Sequence, residues 1–443
     1  MKGRIFVSIA SYRDPELGET LRSLFSQASR PDLLTVAIFH QSEEPAPHVQ
    51  LPRGARLIRD GCHPAESLGA CWARSRVQQK MDGEEYFLQV DAHHLFQRRW
   101  DSLLRNTLDL CPAARPVLTT YLPGYDPRPG RPRRLAPAST AMQFSHFDQD
   151  GVILYRSYSY RWELPLPPQP CRFFSGHFAF ARREFVESVP YDPELYFFGE
   201  ESTMAARAFT HGFDLFHPGR TVAWHQYGRD KQPRHWNDEH HPPGGTASWR
   251  EMQQRGVAKY RRIFCLLPHI NSRDGLGTRR TLAEYEAWAG VDHYRQLIHS
   301  ATAAMEPPSA SVSPDWAVRE RLLTRAKLFL PLPKLAKVDA RPCREVHVAV
   351  LDGSSRDAAA YRFSPAEYRA LQKAPWPVQV RYRMPPLRLI VWPLLENDTW
   401  GEKFEVGLGR PPSLIGSHVP ERPKTPARRA PGRRSHQPRT RSV

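Results

Sequence analysis

The chain has 443 residues, 40% hydrophobic and 25% charged, enough for two or three domains with sizeable cores. Those proportions are ordinary for a soluble protein, and no apolar run reaches the ~20 residues that a membrane-spanning helix needs. The net charge of +17 points to a polyanion partner, yet residues 416–443 carry eight basic residues against Glu421 and supply +7 of it.

That C-terminal stretch is rich in proline and has no aromatic residue. It is expected to be a disordered basic tail, able to bind polyanions loosely but without the stacking surfaces of specific nucleic-acid recognition. Cys62, Cys71, Cys111, Cys171, Cys265 and Cys343 show no C-x-x-C spacing, which argues for reduced thiols over a disulfide framework or a cysteine zinc site. The basic, briefly apolar start stops at Ser11-Tyr12-Arg13-Asp14 with no cleavage pattern. It reads as a first strand, and a cytoplasmic protein with no membrane partner is expected.

In chain order, residues 4–10 read as a strand and 15–28 as a helix with Leu17, Leu21, Leu24 and Phe25 on one face. Strands at 35–40 and 55–58 follow, then a helix over 65–81 leading into a strand at 86–90. This alternation implies an α/β fold with a parallel, doubly wound sheet. Residues 124–135 form a Pro-, Arg- and Gly-rich loop. Beyond it come a strand at 173–181, a short helix at 183–188, a helix at 200–211 and a strand at 221–227. A compositional break near 306–314 precedes an amphipathic helix at 316–329, β-like runs at 346–351, 378–383 and 387–395, and a helix start with Ser364 and Glu367 as a capping box. The expected units are therefore an α/β domain at 1–305, a small α+β domain of unknown role at 306–415, and the tail at 416–443.

Chemistry concentrates in the first unit. Asp91-Ala92-His93 ends the 86–90 strand, where open α/β sheets collect ligands. A carboxylate and an imidazole two residues apart can face one divalent cation; the bland alternative is a strand followed by a polar turn, with Asp91 capping the next helix, and a three-residue motif does not decide between them. His225 ends a later strand and could complete a site of one carboxylate and two imidazoles, a set that suits Mn²⁺ as well as Zn²⁺. Alone, it reads as a core or turn histidine. Glu200 and Glu201 begin a helix, where they complement its dipole or orient substrate hydroxyls. Arg13 and Arg74 are the basic residues placed to meet a diphosphate. His235-Trp-Asn-Asp-Glu-His240-His241 matches no zinc pattern and reads as a lid or acceptor loop.

Seven segments in order resemble one family: Ser8-Ile-Ala-Ser-Tyr-Arg-Asp14, Gly69–Arg74, Tyr86-Phe-Leu-Gln-Val-Asp-Ala-His93, Tyr196-Phe-Phe-Gly-Glu-Glu201, Thr210-His-Gly-Phe-Asp214, His225-Gln-Tyr and Gly275–Tyr285. Over residues 3–300 the chain looks like the GT-A-fold polypeptide α-N-acetylglucosaminyltransferases, cytoplasmic enzymes that glycosylate hydroxyproline. It is more distantly similar to the mucin-type polypeptide GalNAc-transferases. That family usually has Asp-Ser-His where this chain has Asp91-Ala92-His93.

The resemblance implies a GT-A domain that moves a sugar, most simply GlcNAc from UDP-GlcNAc, to a hydroxyl of a protein or glycan acceptor, with retention of configuration. It implies Mn²⁺ or Mg²⁺ on Asp91, His93 and His225, with Arg74 assisting at the diphosphate and Asp14 at the uridine or ribose. Gly176 and His177 fall in the segment that lines the donor sugar, and Glu201, or Glu200 in its place, stands near the acceptor hydroxyl. Two rival readings stand beside it: a metal-dependent hydrolase that uses the same Asp/His set to activate water, and a non-enzymatic polyanion-binding protein that acts through its basic tail.

Overall fold

The computed structural model describes residues 3–127, 133–134, 138–148, 150–160, 166–229, 232–236, 248–264, 275–294, 296–308, 324–353, 355, 357–382, 387–397 and 399–409. β1 (Ile5–Tyr12) lies between β2 (Leu34–Gln41) and β4 (Tyr86–Asp91), parallel to both, with β3 (Arg56–Cys62) outside β2. These central strands are continuous apolar runs because both faces of the sheet are covered. Ile5, Val7 and Ile9 pack with Leu17, Leu21 and Leu24 of α1 (Leu17–Gln27), while Phe6 points to the opposite core with Cys71, Ala73 and Val77 of α2 (Ala70–Gln78). Each of the buried Ile, Val, Leu and Phe side chains contributes roughly 1.5–3 kcal/mol.

The chain continues through β5 (His94–Phe96), α3 (Trp100–Asp109), β6 (Pro116–Thr119), β7 (Gly124–Asp126), β8 (Arg133–Arg134) and the hairpin of β9 (Ser139–Phe147) with β10 (Ile153–Tyr160). There follow β11 (Gln169–Pro170), β12 (Phe178–Arg182), α4 (Glu184–Ser188), α5 (Glu200–Thr210), β13 (Asp214–His217), β14 (Ala223–Gln226), α6 (Trp249–Ile263) and α7 (Leu282–Ala289). The main sheet has the order β11-β13-β6-β12-β4-β1-β2-β3. The α/β class is as expected, but the sheet is mixed: β12 runs antiparallel to both β4 and β6. The chain reaches β12 after a hairpin instead of a crossover helix, and an antiparallel strand needs no crossover. A second sheet, β5-β14-β7-β8, stands beside the end of β4.

Several elements differ from the sequence expectation. The 65–81 helix starts only at Ala70, because Gly69 has φ +97° and packs against the Tyr196 ring; a Cβ there would lie 2.5 Å from it. The strand expected at 173–181 begins at Phe178. The 124–135 loop contains β7 and β8. Where a helix was expected at 316–329, Thr324–Leu330 is a strand paired antiparallel with Trp376–Tyr382, since a partner strand overrides a weak helical pattern. Residues 316–323 and the 416–443 tail lie outside the described residues.

Asp357–Phe363, Cys343–Leu351, Leu387–Leu395 and Phe404–Gly409 form a further four-stranded sheet, and Ser364 and Glu367 make the expected capping box. Val346, Val348, Val350, Leu389 and Val391 give this region its own core. Arg250 of α6 reaches it through Glu345 at 2.9 Å. Among the described residues no helix is long and apolar enough to cross a membrane, and the five described cysteines are unpaired thiols.

Candidate functional site

The turn after β4 is set by Thr20 of α1. Its hydroxyl donates to the Ala92 carbonyl and accepts from the His94 amide, both at 2.8 Å. Ala92 is buried at this anchor, leaving Asp91 and His93 on either side of it. β14 then pairs antiparallel with β5 so that His225 lies opposite His94, and the Gln226 amide donates to the His93 carbonyl at 3.1 Å. This register carries His225 across more than 130 residues of sequence to the Asp91-Ala92-His93 turn.

The result is a three-ligand cluster. Asp91 Oδ2 lies 3.7 Å from His93 Nε2 and 3.6 Å from His225 Nε2, too far for hydrogen bonds. Yet both ring nitrogens of His225 are buried and have no hydrogen-bond partner among the described residues. Leaving a buried polar group unsatisfied costs roughly 1–3 kcal/mol. One carboxylate and two imidazoles, with donor atoms all within 4.8 Å of one another, have the spacing and chemistry for a single divalent cation. The residues therefore fit the metal that the resemblance implies.

The surrounding side chains orient these ligands. His93 Nδ1 donates to Asp14 Oδ2 at 2.8 Å, which leaves its Nε2 as the nitrogen turned toward Asp91. Arg229 Nη2 lies 2.8 Å from the same Asp14 oxygen, and its Nη1 lies 3.5 Å from His93 Nε2. Burial raises the Asp14 carboxyl, but the hydrogen bond and charge of His93, with Arg229, outweigh it and hold the group below the usual range. Arg74 from α2 bridges two carboxylates, with Nη2 on Asp91 Oδ1 at 2.8 Å and Nη1 on Glu200 Oε1 at 2.5 Å. Burial likewise raises Asp91, while Arg74 and the two histidines hold it well below the carboxylate range, so it is an anion. His177, whose Nε2 accepts from the Leu122 amide, stacks on the His225 ring at 4.2 Å and 17°.

Glu200 and Glu201 have different surroundings. Glu200 packs against Gly176, where a Cβ would fall 2.0 Å from its Oε1, so a larger residue there would have to displace the Glu200–Arg74 pair. Glu201 accepts from the Gly176 amide at 2.8 Å and from the Tyr121 hydroxyl at 2.6 Å. Burial pushes its carboxyl up to about 7 despite those bonds.

Two cavities meet at this cluster and share Arg74 and Asp91. One, of about 130 Å³, is lined by Tyr12, Gln41, Ser67, His93, Tyr196 and Arg229. The other, of about 510 Å³, is lined by Tyr121, Tyr155, Gly176, Glu201, His225 and Tyr227. Arg13 lies elsewhere: it pairs with Glu43 at 3.2 Å along a separate groove of about 1080 Å³ that Asp14 also borders. The structure thus joins Asp14, Arg74, Asp91, His93, Gly176, Glu200, Glu201 and His225, and leaves Arg13 outside. Tyr121, His94 and Arg229 also belong to the site, although no motif marks them; the nearest signals are the His93-His94 doublet and the closeness of Arg229 to His225. Of the expected lid loop, His235 bonds the Tyr196 hydroxyl at 2.7 Å and the Ser67 carbonyl at 2.8 Å, while 237–241 lie outside the described residues.

A family model described as Glycosyltransferase (GlcNAc) matches residues 4–53 and 46–295, well over half of the chain. The chain belongs to this glycosyltransferase (GlcNAc) family. Every residue of the cluster falls within the glycosyltransferase match, and the region beyond residue 295 falls outside it. No curated protein matches the chain in sequence. Among solved structures, GalNAc-T7 with UDP, GalNAc and Mn²⁺ is 17% identical with a TM-score of 0.40, covering 59% of this chain and 50% of that one. The chain thus spans half the length of that protein. S. aureus TarS 1–349 in complex with UDP is 12% identical with a TM-score of 0.35, covering 72% and 78%. The mannosyltransferase PcManGT from Pyrobaculum calidifontis, in complex with GDP-Man and Mn²⁺, is 16% identical with a TM-score of 0.37, covering 68% and 73%.

Proposed function

We propose that this family member transfers GlcNAc from UDP-GlcNAc, with retention of configuration, to a hydroxyl group of a protein or glycan acceptor, a protein hydroxyproline among them. The observation that carries the reading is the convergence of Asp91, His93 and the unpartnered His225 nitrogens at the junction of two cavities. Asp91, His93 and His225 would hold Mn²⁺ or Mg²⁺, which would supply positive charge against the diphosphate leaving group. Arg74 and the histidines keep Asp91 anionic and ready to bind a cation. In this reading the nucleotide enters the side lined by Tyr12, Gln41 and Ser67. The sugar and acceptor occupy the 510 Å³ side, a volume in the usual range for a small-molecule pocket. Glu201, facing that side with its carboxyl near neutrality, meets the acceptor hydroxyl, and the Gly176 amide fixes its orientation.

The deciding experiment is a panel of UDP-sugars with Mn²⁺ or Mg²⁺, reading UDP release with and without hydroxyl acceptors. UDP-GlcNAc should turn over fastest, EDTA should stop it, and D91A should abolish it. Wild-type, EDTA-sensitive rates in D91A would remove the site from the reaction. Preferential turnover of simple phosphoesters, indifferent to UDP and acceptor, would instead favour a hydrolase.

A further inference from the structure

We propose that Arg229 competes with the divalent cation for the Asp14–His93 side of the site, so that metal and nucleotide diphosphate bind as a coupled pair. The inference rests on the reading of Asp91, His93 and His225 as the metal seat. Arg229 Nη2 sits 2.8 Å from Asp14 Oδ2, and its Nη1 sits 3.5 Å from His93 Nε2. That nitrogen is the same one that faces Asp91 Oδ2 at 3.7 Å. A guanidinium is a permanent cation with donors only, so it occupies the lone pair that a metal needs and repels the metal's charge. His93 cannot turn away to relieve this, because its Nδ1 is held by Asp14.

The two arginines of the site differ in their freedom to move. Arg74 is buried and clamped between Asp91 and Glu200. Arg229 has a side chain 16% exposed, belongs to the segment just beyond β14, and lines the 130 Å³ cavity assigned to the nucleotide. Among the described residues it also bonds its neighbour Gln232 on the same segment. A diphosphate entering that cavity offers the guanidinium a second anion of the geometry it binds best. Drawing Arg229 toward the diphosphate removes it from His93 and opens the nitrogen to the metal. By linkage, each ligand then strengthens the other by the same factor.

The test is a titration of the full chain with Mn²⁺, read by the EPR signal of free Mn²⁺, with and without UDP. R229Q should bind Mn²⁺ alone about tenfold tighter than wild type, a coupling of ordinary size. UDP should tighten Mn²⁺ binding strongly in wild type and much less in R229Q. R229K, which keeps the charge, should stay near wild type, and melting curves confirm that all variants are folded. Unchanged or weaker Mn²⁺ affinity in R229Q, an equal UDP effect in both proteins, or an R229K that behaves like R229Q overturns the competition. A distinct result, in which wild type and R229Q both fail to bind Mn²⁺ or D91A binds it as well as wild type, overturns the metal seat and the inference with it.

Discussion

His93 is tied to Asp14 through its Nδ1 at 2.8 Å, and this bond decides which ring nitrogen faces Asp91. Nothing in the Asp91-Ala92-His93 motif specifies that choice. It comes from the end of β1, which runs parallel to β4 with Ala10 beside Asp91 and so brings the following turn over the site.

Removing that bond should loosen the metal site without unfolding the protein. D14A is expected to weaken Mn²⁺ binding by about 10–100-fold, the usual effect of losing the partner of a ligating histidine. D14N, which keeps an acceptor oxygen, should lose less. A Mn²⁺ titration of the three proteins checks the order, and equal affinity in all three would contradict it.

Arg74 makes a prediction about stability. Its side chain and that of Glu200 are each 6% exposed, so deleting the guanidinium strands Glu200 and Asp91 without their cation. R74M should destabilise the fold by about 3–5 kcal/mol in urea unfolding. Adding E200Q should recover part of that loss but not activity, because Asp91 still lacks its partner. A cost of less than about 1 kcal/mol for R74M would show that the pair is solvated after all.

Glu201 predicts a pH dependence. Its folded-state pKa of about 7 exceeds the ordinary 4.5, so the native state holds the proton more tightly than the unfolded chain. Ionisation therefore costs the fold: relative to E201Q, wild-type stability should fall as pH rises from about 4.5 to about 7, by up to about 3 kcal/mol. If the ionised carboxylate meets the acceptor hydroxyl, transfer should rise through the upper part of that window and the rise should vanish in E201Q. Parallel denaturation and rate profiles of the two proteins provide the measurement. Identical profiles would mean that Glu201 does not titrate there.

Much of the local structure is legible before folding. The apolar run into Asp91, the Leu17-Leu21-Leu24 face of α1 and the Ser364–Glu367 capping box each depend on neighbours in sequence, and each appears where its pattern places it. The stretch Thr324–Leu330 shows the limit of that reasoning. Its spacing reads as part of a helix, but pairing with Trp376–Tyr382, some fifty residues away, makes it a strand. β12 likewise gives no sign that it runs against its neighbours, since direction is set by how the chain arrives.

The site divides in the same way. Asp91 and His93 are two residues apart at a strand end, so local geometry alone could present both to one ion. His225 joins them only because β14 pairs with β5 in one register; a slip of one residue would turn its ring to the other face of the sheet. Arg74 with Glu200, Asp14 with His93, and Arg229 with both meet only after elements far apart in sequence pack together. Sequence by itself determined which ligands could bind a metal. Tertiary structure decided which of them meet, because strand register and side-chain burial are properties of the assembled sheet and not of any one segment.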